Sequence, residues 1–209
     1  ESSTRANLVD DKIMALMARA GLIRISFGLE TVDPQMRKTM KKKIPLESYV
    51  QANALCSKYK VEALNSTMIG LPGETRETIL ATLNWLSEAR DVMQANFAIA
   101  VPYPGTEFHE MALAGTHGVK LLEQDFSKYM RYGSPVTKVG DLTGKDLIFF
   151  QRLGYALINR KWWRQPTILH KYGLLGWLIC WGRIIRMQTQ IFFGQTASLQ
   201  PFRTHPGQP

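Results

Sequence analysis

The stretch that decides the fold is residues 61–75, VEALNSTMIGLPGET. Its first part, Val61 to Ile69, predicts a β-strand, and Gly70-Leu71-Pro72-Gly73 predicts a tight turn. A helix is predicted directly after it, from about Glu77 to Ala89. A strand, a short turn and a helix in this order form the repeating unit of parallel α/β sheets.

Similar signals lie on either side of this stretch. Before it, Ile23, Ile25 and Phe27 alternate with Arg24 and Ser26, which predicts a strand near 23–29. After it, an apolar run predicts a strand near 96–101, covered on both faces. Helical segments separate the strands, so right-handed crossovers and a parallel sheet are expected. Three strands cannot close a barrel, and the chain begins at Glu1 near the end of a strand. We therefore expect a fragment, the second half of a larger α/β sheet or barrel.

Composition sets the broad class of protein. The chain has 209 residues, of which 45% are hydrophobic and 21% are charged, enough for one sizeable core. This argues against disordered, collagen-like and disulfide-stapled chains. The two cysteines, Cys56 and Cys180, lie too far apart in sequence for a metal knuckle or redox pair. With no signal peptide at the start, they indicate a cytoplasmic protein.

The net charge of +9 is concentrated in the C-terminal part. Residues 1–144 hold 17 basic and 16 acidic side chains, whereas residues 145–209 hold 9 basic side chains and only Asp146. Tryptophans and basic residues interleave in this tail: Trp162, Trp163, Trp177, Trp181, Lys161, Arg164, Lys171, Arg183 and Arg186. The pattern predicts a helix over 166–193 that lies peripherally on a membrane surface, with Trp177, Trp181, Ile184 and Ile185 clustered on one broad face apart from Arg183 and Arg186. The alternative is a helix packed on the barrel; no known RNA-binding module is present, so nucleic acid is not an expected partner.

The residues that could carry chemistry follow the predicted strands. Reactive groups of parallel α/β folds gather at the carboxyl edge of the sheet. Three stretches meet this condition: Gly28-Leu29-Glu30-Thr31, Ile69 to Thr75, and Pro102-Tyr103-Pro104-Gly105-Thr106. Taken alone, the Gly-Leu-Pro-Gly turn is simply a turn, Glu30 and Glu74 are helix-terminal carboxylates, and His109 is a surface or packing residue.

In this order and at these intervals, the three stretches resemble the radical SAM superfamily, in which they match the ends of the fourth, fifth and sixth strands. Thr4 to Leu8 is similar to the end of the third strand, so the resemblance covers roughly residues 1–115. A weaker resemblance begins at Leu142-Thr143-Gly144-Lys145-Asp146-Leu147. It is to the C-terminal extension of the branch that carries a cobalamin-binding domain.

The resemblance implies a fold and a division of the chain. The fold is the C-terminal half of a partial (β/α) radical SAM barrel with parallel strands, followed by a helical basic extension. The implied parts are a partial core over 1–115, an extension with a helix over 116–165, a basic Trp-rich helix over 166–193 and a disordered tail over 194–209.

The resemblance also implies which residues bind S-adenosylmethionine (SAM). Glu30 would contact the ribose hydroxyls or the methionine moiety, and Ser66 would face the ribose. Lys42 and Arg5 would hold the carboxylate, although each lysine of 41–43 can also be read as a solvated helix end. The adenine would pack on Met68 to Leu71, including Gly70, and receive backbone contacts from Val101 and Pro102.

The implied activity is that of an enzyme that reductively cleaves SAM at a [4Fe–4S] cluster and starts radical chemistry on an unknown small or lipid-like substrate. The family's Cys-x-x-x-Cys-x-x-Cys loop is absent from residues 1–209. We therefore expect this chain alone to be inactive. Its expected partner is a missing N-terminal half, which would supply the cluster and, through a further domain, cobalamin. The alternative is a non-catalytic α/β module that docks on a membrane or a partner through its basic tail.

Overall fold

The main sheet has four parallel strands, in a computed structural model that describes residues 1–161 and 165–192. The strands are β1 (Ser2–Thr4), β2 (Arg24–Glu30), β3 (Glu62–Ile69) and β4 (Gln94–Ile99). They lie in the order β1-β2-β3-β4, and every neighbouring pair is parallel. The predicted α/β fold with a parallel sheet is therefore confirmed.

Helices connect the strands and follow the sheet. They are α1 (Asp11–Arg19), α2 (Pro34–Thr39), α3 (Leu46–Lys58), α4 (Arg76–Glu88), α5 (Glu107–Ala114), α6 (Gly144–Asn159) and α7 (Gln165–Phe192). Short polar side chains fix several of their starts. The Thr75 side chain accepts a hydrogen bond from the Thr78 amide in a capping box, and Thr106 accepts one from the His109 amide.

The sheet buries one face and leaves the other half-exposed. Ile25, Phe27 and Leu29 of β2 are fully buried and pack in one core with residues of α3, α4 and α6. The residues between them, such as Ser26 and Gly28, are only half-buried. This alternation follows from the two-residue period of a strand. The half-exposed side of the sheet, here called the open face, carries the polar side chains of the middle strands.

Side chains and a loop cover the outer edge of β4. Gln151 of α6 donates through Nε2 to the Phe97 carbonyl oxygen at 2.6 Å, and the Tyr155 hydroxyl accepts from the Phe97 amide at 3.5 Å. The Ile99 amide donates to the Arg131 carbonyl oxygen at 2.8 Å. Gly154 lets α6 come this close, because a Cβ there would lie 2.8 Å from the Phe97 ring.

A small antiparallel pair lies between α5 and α6. It consists of β5 (Val119–Leu121) and β6 (Thr137–Val139), with Val119 opposite Val139. The sequence of this region predicted no strand. Strands of three residues are too short to give a period-two signal, and α5 supplies the apolar cover that stabilises them.

The predicted helix over 166–193 corresponds to α7, but it is broken at Gly173, where φ is 67° and ψ is 179°. The placement of its aromatic side chains also differs from the prediction of one outward cluster. Trp177 and Trp181 donate through Nε1 to the Gln165 side-chain oxygen at 2.8 and 2.9 Å. Ile184 is buried, whereas Ile185 is 55% exposed. The two indoles therefore contact each other, with ring centroids 6.1 Å apart, but they also bind an intramolecular acceptor.

Lys161 does not belong to a basic outer surface. It is buried, and its Nζ donates to the carbonyl oxygens of Leu86, Ala89 and Val92 at 2.6–2.9 Å. These carbonyls lie at and after the C-terminal end of α4, where a cation is electrostatically favoured.

Some predictions lie outside the described residues. They concern Trp162, Trp163 and Arg164, the side chain of Lys171, and the tail over 194–209. Among the helices in the described part of the chain, none combines the length and apolar character needed to cross a membrane.

Candidate functional site

The candidate site is the carboxyl edge of the sheet, where β2 ends at Glu30. The pairing of β2 with β3 slips here: Gly28 lies opposite Ser66, but Glu30 lies opposite Thr67. Glu30 adopts a left-handed conformation with φ of 64°, which is uncommon for a residue with a Cβ. The local irregularity thus places a carboxylate at the end of the strand.

Lys42 joins Glu30 to the backbone of β2. Its Nζ donates to the Gly28 carbonyl oxygen at 2.8 Å and lies 3.4 Å from Glu30 Oε1. Tyr49 of α3 donates its buried hydroxyl to the same carbonyl at 2.8 Å. Both charged side chains remain partly accessible, at 24% for Lys42 and 19% for Glu30. The pair can therefore exchange some of its contacts for those of a ligand.

The chain between α2 and α3 is held by Arg37. Its guanidinium is buried and donates to the carbonyl oxygens of Thr31, at 3.0 Å, and of Ile44. It also lies over the Tyr49 ring, 5.8 Å from the centroid. This fixes the basic run 41–43, within which Lys41 and Lys43 are exposed and Lys42 points to Glu30.

A cleft of about 300 Å³ opens beside this pair. It is lined by residues from the end of β1, from β2 and from the basic run: Thr4, Arg5, Gly28, Lys41, Lys42, Lys43 and Ile44. Arg5 and Lys42, both predicted to hold a carboxylate, therefore share one cleft. Arg5 and Lys42 can bind a carboxylate in this cleft, and Glu30, in contact with Lys42 beside it, can accept a hydrogen bond from an amine or a hydroxyl.

Polar groups continue on the open face behind the cleft. The Ser66 hydroxyl lies 3.3 Å from the Ser26 hydroxyl. Asn96 lies opposite Ser66 on β4, and its side-chain oxygen accepts no hydrogen bond from any described residue although the atom is buried. A buried polar atom without a partner is costly unless a ligand or water satisfies it.

A buried carboxylate stabilises the turn after β3. Glu74 is buried and accepts hydrogen bonds from the amides of Gly70 and Leu71. Burial raises the pKa of Glu74 to about 7, although these two hydrogen bonds act in the opposite direction. The interpretation of Glu74 as a helix cap is wrong, because Thr75 caps α4.

The residues predicted to bind adenine lie further along the edge. Met68 packs with Leu71, Ala100 and Met36 in a small apolar cluster. Gly70, with φ of 86°, is closed on one side by Leu147 of α6, which a Cβ would meet at 3.1 Å. After β4, the Val101 carbonyl accepts from the Tyr103 amide, and the Pro102 carbonyl lies 3.0 Å from His109 Nδ1. His109 is thus a packing residue.

The structure places Arg5 and Lys42 in one cleft and Glu30 in contact with Lys42, with Ser66 on the adjoining strand. Val101 and Pro102 lie two strand spacings from β2, about 10 Å away. Sequence reasoning missed Tyr49 and Arg37. Helical spacing places Tyr49 on the inner face of α3, but nothing local shows that its hydroxyl reaches Gly28.

The described residues contain no group of three or more His, Cys, Asp or Glu side chains that could hold a metal ion. Cys56 is buried, and burial raises the pKa of its thiol to about 12. A thiol in this state is a poor ligand, since metals bind the thiolate. The described residues therefore do not fit a [4Fe–4S] cluster.

Comparison with known proteins defines the class. Residues 2–86 match the family model described as the radical SAM superfamily. The chain is 31% identical over 170 residues to an uncharacterized methyltransferase of Pyrococcus horikoshii, an alignment that covers 81% of this chain and 35% of the relative. It is 29% identical over 142 residues to the anaerobic magnesium-protoporphyrin IX monomethyl ester cyclase of Rubrivivax gelatinosus, covering 68% and 24%.

A solved structure shares the fold over most of the chain. It is the radical SAM methyltransferase TsrM of Kitasatospora setae, determined with cobalamin and a [4Fe–4S] cluster bound. The TM-score is 0.54 at 17% identity, covering 94% of this chain and 44% of that one. Residues 2–86 belong to the radical SAM superfamily, and the chain spans about a third or less of the curated relatives it matches.

Proposed function

We propose that this chain holds SAM in a radical SAM enzyme, with the methionine end of SAM at the Arg5–Lys42–Glu30 cleft. The observation that carries the proposal is the partly accessible Lys42–Glu30 pair at the carboxyl end of β2, with Arg5 lining the same cleft. These groups offer two cations for a carboxylate and one carboxylate for an amine or hydroxyl.

The remaining contacts follow the edge of the sheet. Ser66 and the unpartnered Asn96 oxygen supply polar groups for a ribose on the open face. Met68 and Leu71 supply an apolar surface for adenine. The left-handed Glu30 and the hydroxyl of Tyr49 fix the pair before the ligand arrives, so less ordering is needed on binding.

The family implies a [4Fe–4S] cluster, which supplies an electron for SAM cleavage when it is bound. Because the described residues do not fit it, the proposal places its cysteines in another part of the functional enzyme. Cobalamin is proposed on weaker support, namely the shared fold of a structure that contains it. Methyl transfer is the proposed reaction class, because the relative that is 31% identical is called a methyltransferase.

Calorimetry on the full-length enzyme tests the site directly. Lys42→Met and Glu30→Gln should each weaken SAM binding by about tenfold, the effect expected when one charge-assisted hydrogen bond is lost. Lys12→Met and Glu107→Gln, at exposed positions of α1 and α5, are the matched controls and should leave the affinity unchanged. Unchanged affinity in both site variants would remove Lys42 and Glu30 from the SAM site.

A second measurement tests the reaction class. With the cluster reduced, the enzyme incubated with methyl-deuterated SAM should transfer the label to its product. Formation of 5′-deoxyadenosine without label transfer would support SAM cleavage as the activity and exclude methyl transfer as the reaction class. If the full-length protein neither binds SAM nor assembles a cluster, the enzyme hypothesis is wrong and the alternative of a non-catalytic docking module is favoured.

A further inference from the structure

The C-terminal half of α7 exposes an apolar face that no described residue covers. Over 174–186, five large aliphatic side chains are between 49% and 73% exposed: Leu174, Leu175, Leu178, Ile179 and Ile185. At 100° per residue they share one side of the helix. Beside this face lie the half-buried Trp177 and Trp181, whose indoles donate to Gln165, and the buried Ile184.

A basic cleft runs beside this face. It has a volume of about 740 Å³ between α6 and α7 and is lined by Arg152, Arg183 and Arg186, with Tyr155, Asn159 and Cys180. Within the described residues, these three arginine side chains make no ion pair. Three guanidinium groups without a carboxylate form a site for phosphate oxygens.

The positive charge of the C-terminal segment indicates what kind of surface binds the exposed face of α7. No acidic residue follows Asp146, and the last 65 residues hold nine basic ones. An apolar helix face flanked by arginines in a segment of this charge suits the interface of an anionic membrane, where aliphatic side chains enter the acyl boundary and cations reach phosphates.

We propose that α7 docks this protein on an anionic phospholipid surface. Leu175, Leu178 and Ile185 enter the acyl boundary, and Arg183 and Arg186 hold lipid phosphates at the mouth of the cleft between α6 and α7. This surface differs from the tryptophan face expected from the sequence, because Trp177 and Trp181 are turned inward. The proposal is independent of SAM binding.

Co-sedimentation of the full-length protein with vesicles tests the proposal. The protein should sediment with vesicles of equal phosphatidylcholine and phosphatidylglycerol, and not with phosphatidylcholine alone. Each basic residue near an anionic surface contributes about fivefold to partitioning. Arg183→Gln with Arg186→Gln should therefore weaken binding about 25-fold, and the double lysine variant at these positions should restore most of it.

The apolar contribution is tested separately. Leu175→Gln with Leu178→Gln should weaken binding at least about tenfold, since both side chains would leave the acyl boundary. The matched controls are Leu113→Gln with Leu122→Gln, exposed leucines away from α7, and Lys12→Gln with Arg19→Gln on α1. Both controls should bind within twofold of the parent, and circular dichroism checks that each variant is folded.

Three results would overturn the proposal. The first is equal binding, or none, to both kinds of vesicle, which would assign the exposed face to a protein contact. The second is displacement from vesicles by millimolar glycerol phosphate, which would make the cleft a site for soluble phosphates. The third is full binding by the folded arginine and leucine variants.

Discussion

Two lysines of this protein bind backbone carbonyl oxygens, but in regions with opposite properties. Lys161 is buried where α6 meets the end of α4, and it satisfies three carbonyls. Lys42, at the carboxyl edge of the sheet, is partly accessible and divides its contacts between the Gly28 carbonyl and Glu30. The first ammonium has no room to change its contacts, whereas the second can. A buried cation of the first kind contributes to stability, and one of the second kind is suited to a ligand.

The largest expected effect belongs to Lys161. Lys161→Met should lower the free energy of unfolding by roughly 3–5 kcal/mol, because the carbonyls of Leu86 and Val92 lose the ammonium donor and that of Ala89 keeps only the Val92 amide. Urea unfolding followed by circular dichroism measures the change. Lys145→Met, at an exposed position of α6, is the control and should stay within about 0.5 kcal/mol of the parent. A similar small loss in both variants would show that the Lys161 contacts do not contribute.

Glu74, a second buried ionisable side chain, should make the stability of the protein depend on pH. Its pKa is about 7 in the folded protein and lies near 4.5 when the chain is unfolded, so the folded state binds more protons between these values. The contribution of protonated Glu74 to the free energy of unfolding should therefore be complete below about pH 4.5. Roughly 2–3 kcal/mol of it should be lost as the pH rises through 7.

The test for Glu74 is a comparison of pH profiles. Glu74→Gln should unfold with a flatter dependence on pH between 5 and 8, measured by urea titration at each pH. Exposed Glu77 at the start of α4 serves as the control, because Glu77→Gln should keep the parent's slope in this range. An equal slope in parent and Glu74→Gln would contradict the raised pKa.

The contact of α6 with β4 predicts a smaller effect. Gly154→Ala should destabilise the protein by about 1–3 kcal/mol, because the new Cβ would lie 2.8 Å from the Phe97 ring. Gly182→Ala in α7 is the matched control, since its Cβ meets nothing within 4 Å. The control should raise stability by up to about 1 kcal/mol through helix propensity. Thermal unfolding measures whether each variant is less or more stable than the parent.

Lys42 should show the smallest effect on stability. Lys42→Met should cost less than about 1 kcal/mol, because the ion pair is partly accessible and Tyr49 still donates to the Gly28 carbonyl. Together with a tenfold loss of SAM affinity, this would separate Lys42 from Lys161. A loss of stability as large as that of Lys161→Met would make Lys42 a structural residue.

The sequence predicted the regions whose signals are local. Alternation along Arg24–Glu30 and the turn after Ile69 located the strands within about two residues, and parallel topology then placed Glu30 and Gly70 at one edge. Lys161 was misread because its acceptors Leu86, Ala89 and Val92 lie 69–75 residues away, and a basic residue alone indicates a solvated surface.

The remaining errors have a similar cause. Trp177 and Trp181 turn inward because Gln165, beyond the break at Gly173, offers a shared acceptor that helical periodicity cannot reveal. The pairing of Glu30 with Lys42 depends on the register slip in β2 and on Arg37, both of which are products of tertiary packing.

The covered edge of β4 restricts where a further strand could pair with the sheet. Gln151, Tyr155 and the Arg131 carbonyl occupy the groups of Phe97 and Ile99 that an incoming strand would need. A peptide that would extend the sheet at β4 therefore finds these backbone groups already bonded, and edge-to-edge association through β4 should be disfavoured.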